Sequence, residues 1–241
     1  IGVGEHFVNL LIEKAKEGVV CRLLVDHVGS FSLNRKFAKR LRDQGVHFAF
    51  FSPLALRRPW GFHLRNHRKL MIIDGKIGFV GSQNICSDYK TWQLKKIDWI
   101  DSQLSVEGPG TRQLQSIFLE DWEFTTGEQI SDPAYFPDTA PIGSSYMQAL
   151  PTGPDEYDQS FEKILMTMIH SAEKRVTIGT PYFVPTPAVA LSLEAAVLRG
   201  VQVDLLVPEY SDQWWVDAAA RSWFYDLLRG GVNIYLCTNK F

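Results

Sequence analysis

One run of elements occurs twice in this chain, and that repetition narrows the folds open to it more than any other feature. Leu11-Ile-Glu-Lys-Ala-Lys-Glu-Gly18, then Val19-Val-Cys-Arg-Leu-Leu-Val25, reads as a helix end, a glycine stop and a β-rich strand. Leu193-Glu-Ala-Ala-Val-Leu-Arg-Gly200, then Val201-Gln-Val-Asp-Leu-Leu-Val207, repeats that order. In each copy a second helix closes on glycine and another strand follows: Phe37 to Gly45 with Val46-His-Phe48, and Phe224 to Gly231 with Val232-Asn-Ile-Tyr235. Helices alternating with strands imply βαβ units. The expected fold class is therefore α/β, in two similar lobes that arose by duplication, each with a mixed, largely parallel sheet.

Thr125 to Pro154 is rich in turn formers, with Pro133, Pro137, Pro141, Pro151 and Pro154 beside Gly127, Gly143 and Gly153. It reads as a connection between lobes, with a long surface loop inside one domain as the alternative. The expected organisation is a first lobe over 1–124, a connection over 125–145 and a second lobe over 146–241. The second copy has a helix near Glu156–Ser171 and a strand near Arg175–Thr180 that the first copy lacks. The first copy continues into Phe62–Asn84, whereas the second stops at Phe241. On this comparison the sequence is expected to be a fragment, cut at both ends.

Composition removes several classes of function. With 45% hydrophobic and 22% charged residues over 241 positions, the chain is neither disordered nor a disulfide miniprotein. A net charge of −2 argues against gripping nucleic acid by bulk charge, and no nucleic-acid partner is expected. No apolar run approaches the ~20 residues needed to cross a bilayer. The opening Ile1-Gly-Val-Gly-Glu5 lacks the charged region of a secretory signal. Cys21, Cys86 and Cys237 read as reduced thiols of a cytosolic compartment.

Chemistry concentrates in Arg65-Asn-His67-Arg-Lys69-Leu-Met-Ile-Ile-Asp74-Gly75-Lys-Ile-Gly-Phe-Val-Gly81-Ser82-Gln-Asn84. Asp74-Gly75 between two β-rich runs predicts a hairpin. A two-residue turn would set Ile73 opposite Lys76, Lys69 opposite Val80 and His67 opposite Ser82. Alternation puts His67 and Lys69 on one face and Arg68 on the other. An imidazole, an ammonium, a hydroxyl and a carboxamide then converge at one end of the sheet. Such a set suits the anionic oxygens of a phosphodiester beside a nucleophile.

His67-x-Lys69-x4-Asp74 followed by Gly81-Ser82-x-Asn84 resembles the HKD motif of the phospholipase D superfamily. Arg65-Asn66, Trp99-Ile-Asp101, Val106-Glu-Gly-Pro109, Phe118-Leu-Glu-Asp-Trp122, Thr152-Gly-Pro-Asp155 and Thr180-Pro-Tyr-Phe-Val-Pro185 extend the resemblance. Together they are most similar to bacterial cardiolipin synthases, over nearly the whole chain. The resemblance implies two phospholipase-D-like α-β-α sandwich lobes sharing one site. It implies that His67 is a nucleophile forming a phosphohistidine, that Lys69, Ser82 and Asn84 hold phosphate oxygens, and that Asp101 fixes the histidine tautomer. Asp74 completes the catalytic motif; it is expected to shape the turn rather than take a chemical step. The implied reaction is phosphatidyl transfer between two phosphatidylglycerol molecules with release of glycerol, without metal or other cofactor. The implied setting is peripheral contact with the cytoplasmic face of the bacterial cell membrane. Ile100 departs from the family's basic residue before Asp101. A second HKD histidine is expected just past Phe241, so the rival readings are a hydrolytic phospholipase D or nuclease, an inactive lipid- or phosphate-binding module, and a site completed by a homodimer.

Other features carry less. His63, His67 and Asp74 lack the glutamate of a zincin helix, so no metal is expected. Phe48 to Trp60, with Arg57 and Arg58, reads either as a lip entering the lipid headgroup layer or as a buried strand over Val46–Phe51 and a plain loop. Trp214-Trp215 reads either as core at a helix start or as the lining of an acyl or glycerol channel. Arg35, Lys36, Lys39, Arg40 and Arg42 read as a solvated helix face, and Cys86 as a small packed residue.

Overall fold

The computed structural model describes residues 2–30, 33–51, 65–85, 101–153, 160–211 and 213–238. These fall into two compact units, one from 2–85 with 101–153 and one from 160–238. The repeated glycines act as the sequence predicts. Gly18, Gly45, Gly200 and Gly231 have φ between 85 and 92°, a left-handed stop that any side chain would strain. Each is followed by a valine whose N–H turns back onto a helix carbonyl: Val19 to Lys14, Val46 to Leu41, Val201 to Ala196 and Val232 to Leu227, at 2.9–3.1 Å. Val46, Val201 and Val232 each stand immediately before a strand and Val19 three residues before one, so each Gly-Val pair ends a helix and leads towards the next strand.

The first unit begins with α1 (Val3–Lys16), β1 (Arg22–Asp26), α2 (Arg35–Asp43) and β2 (His47–Phe51). β1 and β2 pair in parallel from Arg22↔His47 to Asp26↔Phe51. Val8, Ile12, Ala38, Leu41, Val46 and Phe48 close the core between the helices and these strands. Phe48, Ala49 and Phe51 are buried, so residues 47–51 follow the buried-strand reading. The lip residues Arg57, Arg58 and Trp60, with His63 and Cys86, lie outside the described residues. The basic face of α2 is more than solvated: Arg40 reaches Glu5 at 2.6 Å and Asn9 at 2.7 Å, and Arg42 donates to Phe48 O.

Among the described residues, an antiparallel sheet of β3 (Lys69–Ile73), β4 (Ile77–Gly81) and β5 (Gln103–Glu107) completes the strands of this unit, and α3 (Thr111–Thr126) packs against β2, β3 and β4. The hairpin register differs by one from the expected one. Asp74 and Gly75 both have positive φ, 54° and 65°, and Lys76 N–H closes the turn onto Ile73 O at 3.0 Å. Lys76 is left without a cross-strand partner, so Ile73 faces Ile77, Leu70 faces Val80 and Lys69 faces Gly81. The reason lies in α3. A Cβ on Gly78 would come within 2.7 Å of Leu114 Cδ1, so Gly78 faces the helix. Pairing it with Ile72 puts Leu70, Ile72, Gly78 and Val80 on that one face; the expected register would have split the set.

The Pro/Gly-rich segment is packed along the first unit. Arg22, at the start of β1, donates to Tyr135 Oη at 2.7 Å and to Glu128 at 2.8 Å, with the rings of Trp122 and Tyr135 5.7 and 5.4 Å from its guanidinium carbon. Trp122 Nε1 donates to the other Glu128 oxygen at 2.7 Å. The Trp122 and Arg22 hydrogen bonds hold the Glu128 carboxyl below its ordinary value. A depressed folded value contributes stability above the ordinary carboxylate pKa and loses it as pH falls through the folded one. Acid is therefore expected to free this strap, and Glu128→Gln to free it at neutral pH. Hydrogen exchange of residues 128–137 against pH measures both.

The second unit contains α4 (Ser160–Ser171), β6 (Arg175–Gly179), α5 (Pro187–Leu198), β7 (Gln202–Pro208), α6 (Trp214–Arg229) and β8 (Asn233–Cys237). Its sheet is parallel in the order β6-β7-β8. Leu193, Val203, Leu205, Leu227 and Val232 form the centre of its core. Trp214 and Trp215, 75% and 56% exposed, start α6 edge-on to each other and are not core residues of this unit. Val216 and Asp217, the next two residues of that first turn, are the ones turned towards Phe183 and Val207.

Candidate functional site

The site begins where the chain enters β3. His67 is two residues ahead of Lys69, the first residue of the strand, and is exposed. Lys69 is half-buried and its Nζ donates to His67 O at 2.7 Å. Burial pushes the Lys69 amine down from its ordinary value, and the carboxylates of Asp26 and Asp101 pull it back up. Ser82 follows the last residue of β4, which pairs with Lys69, and its hydroxyl donates to Asp101 Oδ1. Asp101 Oδ1 also accepts Ser102 N–H at 2.7 Å. The hairpin therefore brings Lys69, Ser82 and Asp101 to the end at which His67 sits. Asn84 is exposed two residues beyond Ser82. Asp74 is at the opposite end of the hairpin, exposed in the turn, and does not join these groups.

Two carboxylates at this end were not singled out from the sequence. Asp26, the last residue of β1, accepts Gly29 N–H at 2.7 Å and Asn66 N–H at 3.3 Å, and it is one of the two groups that favour the Lys69 cation. The available signal was its position at the carboxyl end of a parallel strand, where α/β sheets set their ligands. Asp121 on α3 accepts from Asn66 Nδ2 and from Arg68 Nη1. Among the described residues no group of three or more His, Cys, Asp or Glu side chains is arranged to hold a metal ion. An ammonium favoured by two carboxylates, at the hairpin end that carries Ser82 and an exposed imidazole, can bind an anionic ester and offer it a nucleophile.

Residues 3–122 and 165–241 match the family described as cardiolipin synthase, PLD-like domain. The chain belongs to that family. It is 40% identical over 238 residues to the cardiolipin synthase of Alkalihalophilus pseudofirmus, covering 97% of this chain and 47% of that protein. The cardiolipin synthase of Geobacillus sp. strain WCH70 is 40% identical, over 99% of this chain and 48% of its own length. Cardiolipin synthase 2 of Bacillus anthracis is also 40% identical, over 97% and 46%. This PLD-like chain thus spans about half the length of the curated relatives it matches. Among solved structures, the polyphosphate kinase of Porphyromonas gingivalis aligns with a TM-score of 0.49 and 14% identity, over 83% of this chain and 28% of that one. Among the described residues, no helix of the PLD-like chain is long and apolar enough to cross a membrane.

Proposed function

We propose that the intact protein transfers a phosphatidyl group from one phosphatidylglycerol to the headgroup hydroxyl of a second, releasing glycerol. His67 attacks phosphorus; a P–N bond forms as the P–O bond to glycerol breaks, and the departing alkoxide takes a proton from a general acid. A hydroxyl of the second phosphatidylglycerol then attacks, loses its proton to the same group, and displaces His67. The acid is the histidine of a second motif, in the same intact chain or in a second copy of it. Lys69, Ser82 and Asn84 bind the non-bridging oxygens, Asp101 orients the imidazole and Ser82, and Asp74 shapes the turn. Ammonium and hydroxyl donors supply the charge stabilisation, so the reaction calls for no metal. The enzyme works at the surface of the membrane that holds its substrate, on the cytoplasmic face.

One observation carries this reading: in a member of the cardiolipin synthase family, Lys69, Ser82 and Asp101 meet at the hairpin end that bears an exposed His67. Phosphatidylglycerol vesicles and single-stranded DNA, offered separately to the intact protein, test it. The expected result is cardiolipin with one glycerol released for each, and intact DNA. Phosphatidate in place of cardiolipin would make the protein a hydrolase, and DNA cleavage without glycerol release would remove the lipid reading altogether.

A further inference from the structure

His67 is exposed, and the segment that carries it is held by side-chain hydrogen bonds. Residues 65–68 precede β3 and have no place in its ladder. A cavity of about 60 Å³ lies against them, walled by Leu24, Val25, Leu70 and Phe118 as well as by Asp26 and Asp121. Polar contacts grip the segment on both sides of residue 67. Asp121 Oδ2 accepts Asn66 Nδ2 at 2.7 Å, and its Oδ1 accepts Arg68 Nη1 at 2.6 Å. Arg68 N–H donates to Asn66 Oδ1 at 2.9 Å, closing a ring through residues 66, 68 and 121. The Asp121 side chain is 14% exposed, next to buried Trp122 and two residues from buried Leu119 on a 16-residue helix, so the grip comes from a rigid element.

We propose that Asp121 is a positioning residue, gripping both neighbours of His67 so that the imidazole is held in line with the phosphorus it attacks. The inference rests on the nucleophilic role proposed for His67. One carboxylate oxygen on the side chain of each neighbour, linked by the Arg68 N–H to Asn66 Oδ1 bond, restrains both flanks of residue 67 while leaving its ring open to substrate. The pairing also assigns Arg68: its guanidinium is committed to Asp121 and to Thr152 O, at 3.3 Å, and is not a phosphate ligand.

Asp121→Asn keeps the shape of the side chain but turns an amide donor onto one of its two donor partners. Loss of alignment at a reacting centre is expected to lower kcat on phosphatidylglycerol vesicles by about ten- to a hundredfold. KM should stay within about threefold, because the phosphate ligands are untouched. Asn66→Ala removes one arm without changing charge and should lower kcat in the same direction. The two changes combined should cost no more than Asp121→Asn alone, since they break one unit. Full kcat in both single variants, with only a lowered melting temperature, would make Asp121 a structural staple and overturn the proposal. If Asp121→Asn does not fold, the kcat of Asn66→Ala decides. His67→Ala run in parallel separates the two readings: if it stays active the proposed function fails, and if it is dead while Asp121→Asn and Asn66→Ala run at full kcat, the positioning role alone fails.

Discussion

Replacing His67 by alanine is expected to abolish phosphatidyl transfer by the intact protein while leaving its melting temperature unchanged. The two halves of that result have separate causes. His67 is exposed and precedes β3, so truncating it removes no core contact. Surface changes of that kind stay within about 0.5 kcal/mol. Its ring is nonetheless the group on which the covalent intermediate forms, and losing a nucleophile costs on the order of 10⁴–10⁶ in kcat. Lys69 and Ser82 do not replace it, because in this account both act as donors to the phosphate oxygens rather than as nucleophiles. Glycerol release and a thermal melt on the same preparation measure both halves. A stable variant that retained transfer would move the nucleophile elsewhere in the molecule.

Lys69→Ala is expected to lower kcat by about two or more powers of ten, the usual loss when one donor to a developing oxyanion is removed. Lys69→Met should lose as much activity while keeping or raising the melting temperature. Burial opposes the charge of this amine, and the influence of Asp26 and Asp101 only partly offsets it. Because the folded value lies below the ordinary one, the unfolded chain holds this proton more tightly. The resulting penalty is full below the folded pKa, shrinks as pH rises towards the ordinary value and is gone above it. The stability gained by Lys69→Met should therefore be largest at neutral and acid pH and shrink in alkali. A melting temperature that fell in both variants would show that Lys69 serves the fold rather than the phosphate.

How far the sequence reached can be seen residue by residue. The Gly-Val stops were legible because they are local: a helix end and a left-handed glycine stand two residues apart, with a strand start one to three residues beyond the valine. The hairpin turn was legible for the same reason, since Asp74-Gly75 supplies both positive φ values within two residues. Its register was not, because Lys76 drops out of the pairing in response to Leu114, which packs on Gly78 from a helix far along the chain. The same distance hid the outer parts of the site. Asp26 and Asp121 stand 40 and 55 residues from Asn66, so nothing in the sequence around Asn66 pairs either of them with it. Trp214 and Trp215 show the limit of reading burial from composition, as the first turn of α6 leaves both rings exposed. In the observed register Ser82 lies past the last pair of β4 and bonds Asp101 rather than standing opposite His67.

The central claim is that a covalent bond forms between phosphorus and the ring of His67, and it can be tested by trapping that bond. The intact protein is mixed with phosphatidylglycerol labelled at phosphorus, quenched within a turnover, and digested for peptide mapping. The account predicts an acid-labile, base-stable label on the peptide containing residue 67, absent from His67→Ala. Cardiolipin formed at full rate with no label at residue 67, or with the label on another residue, would contradict it.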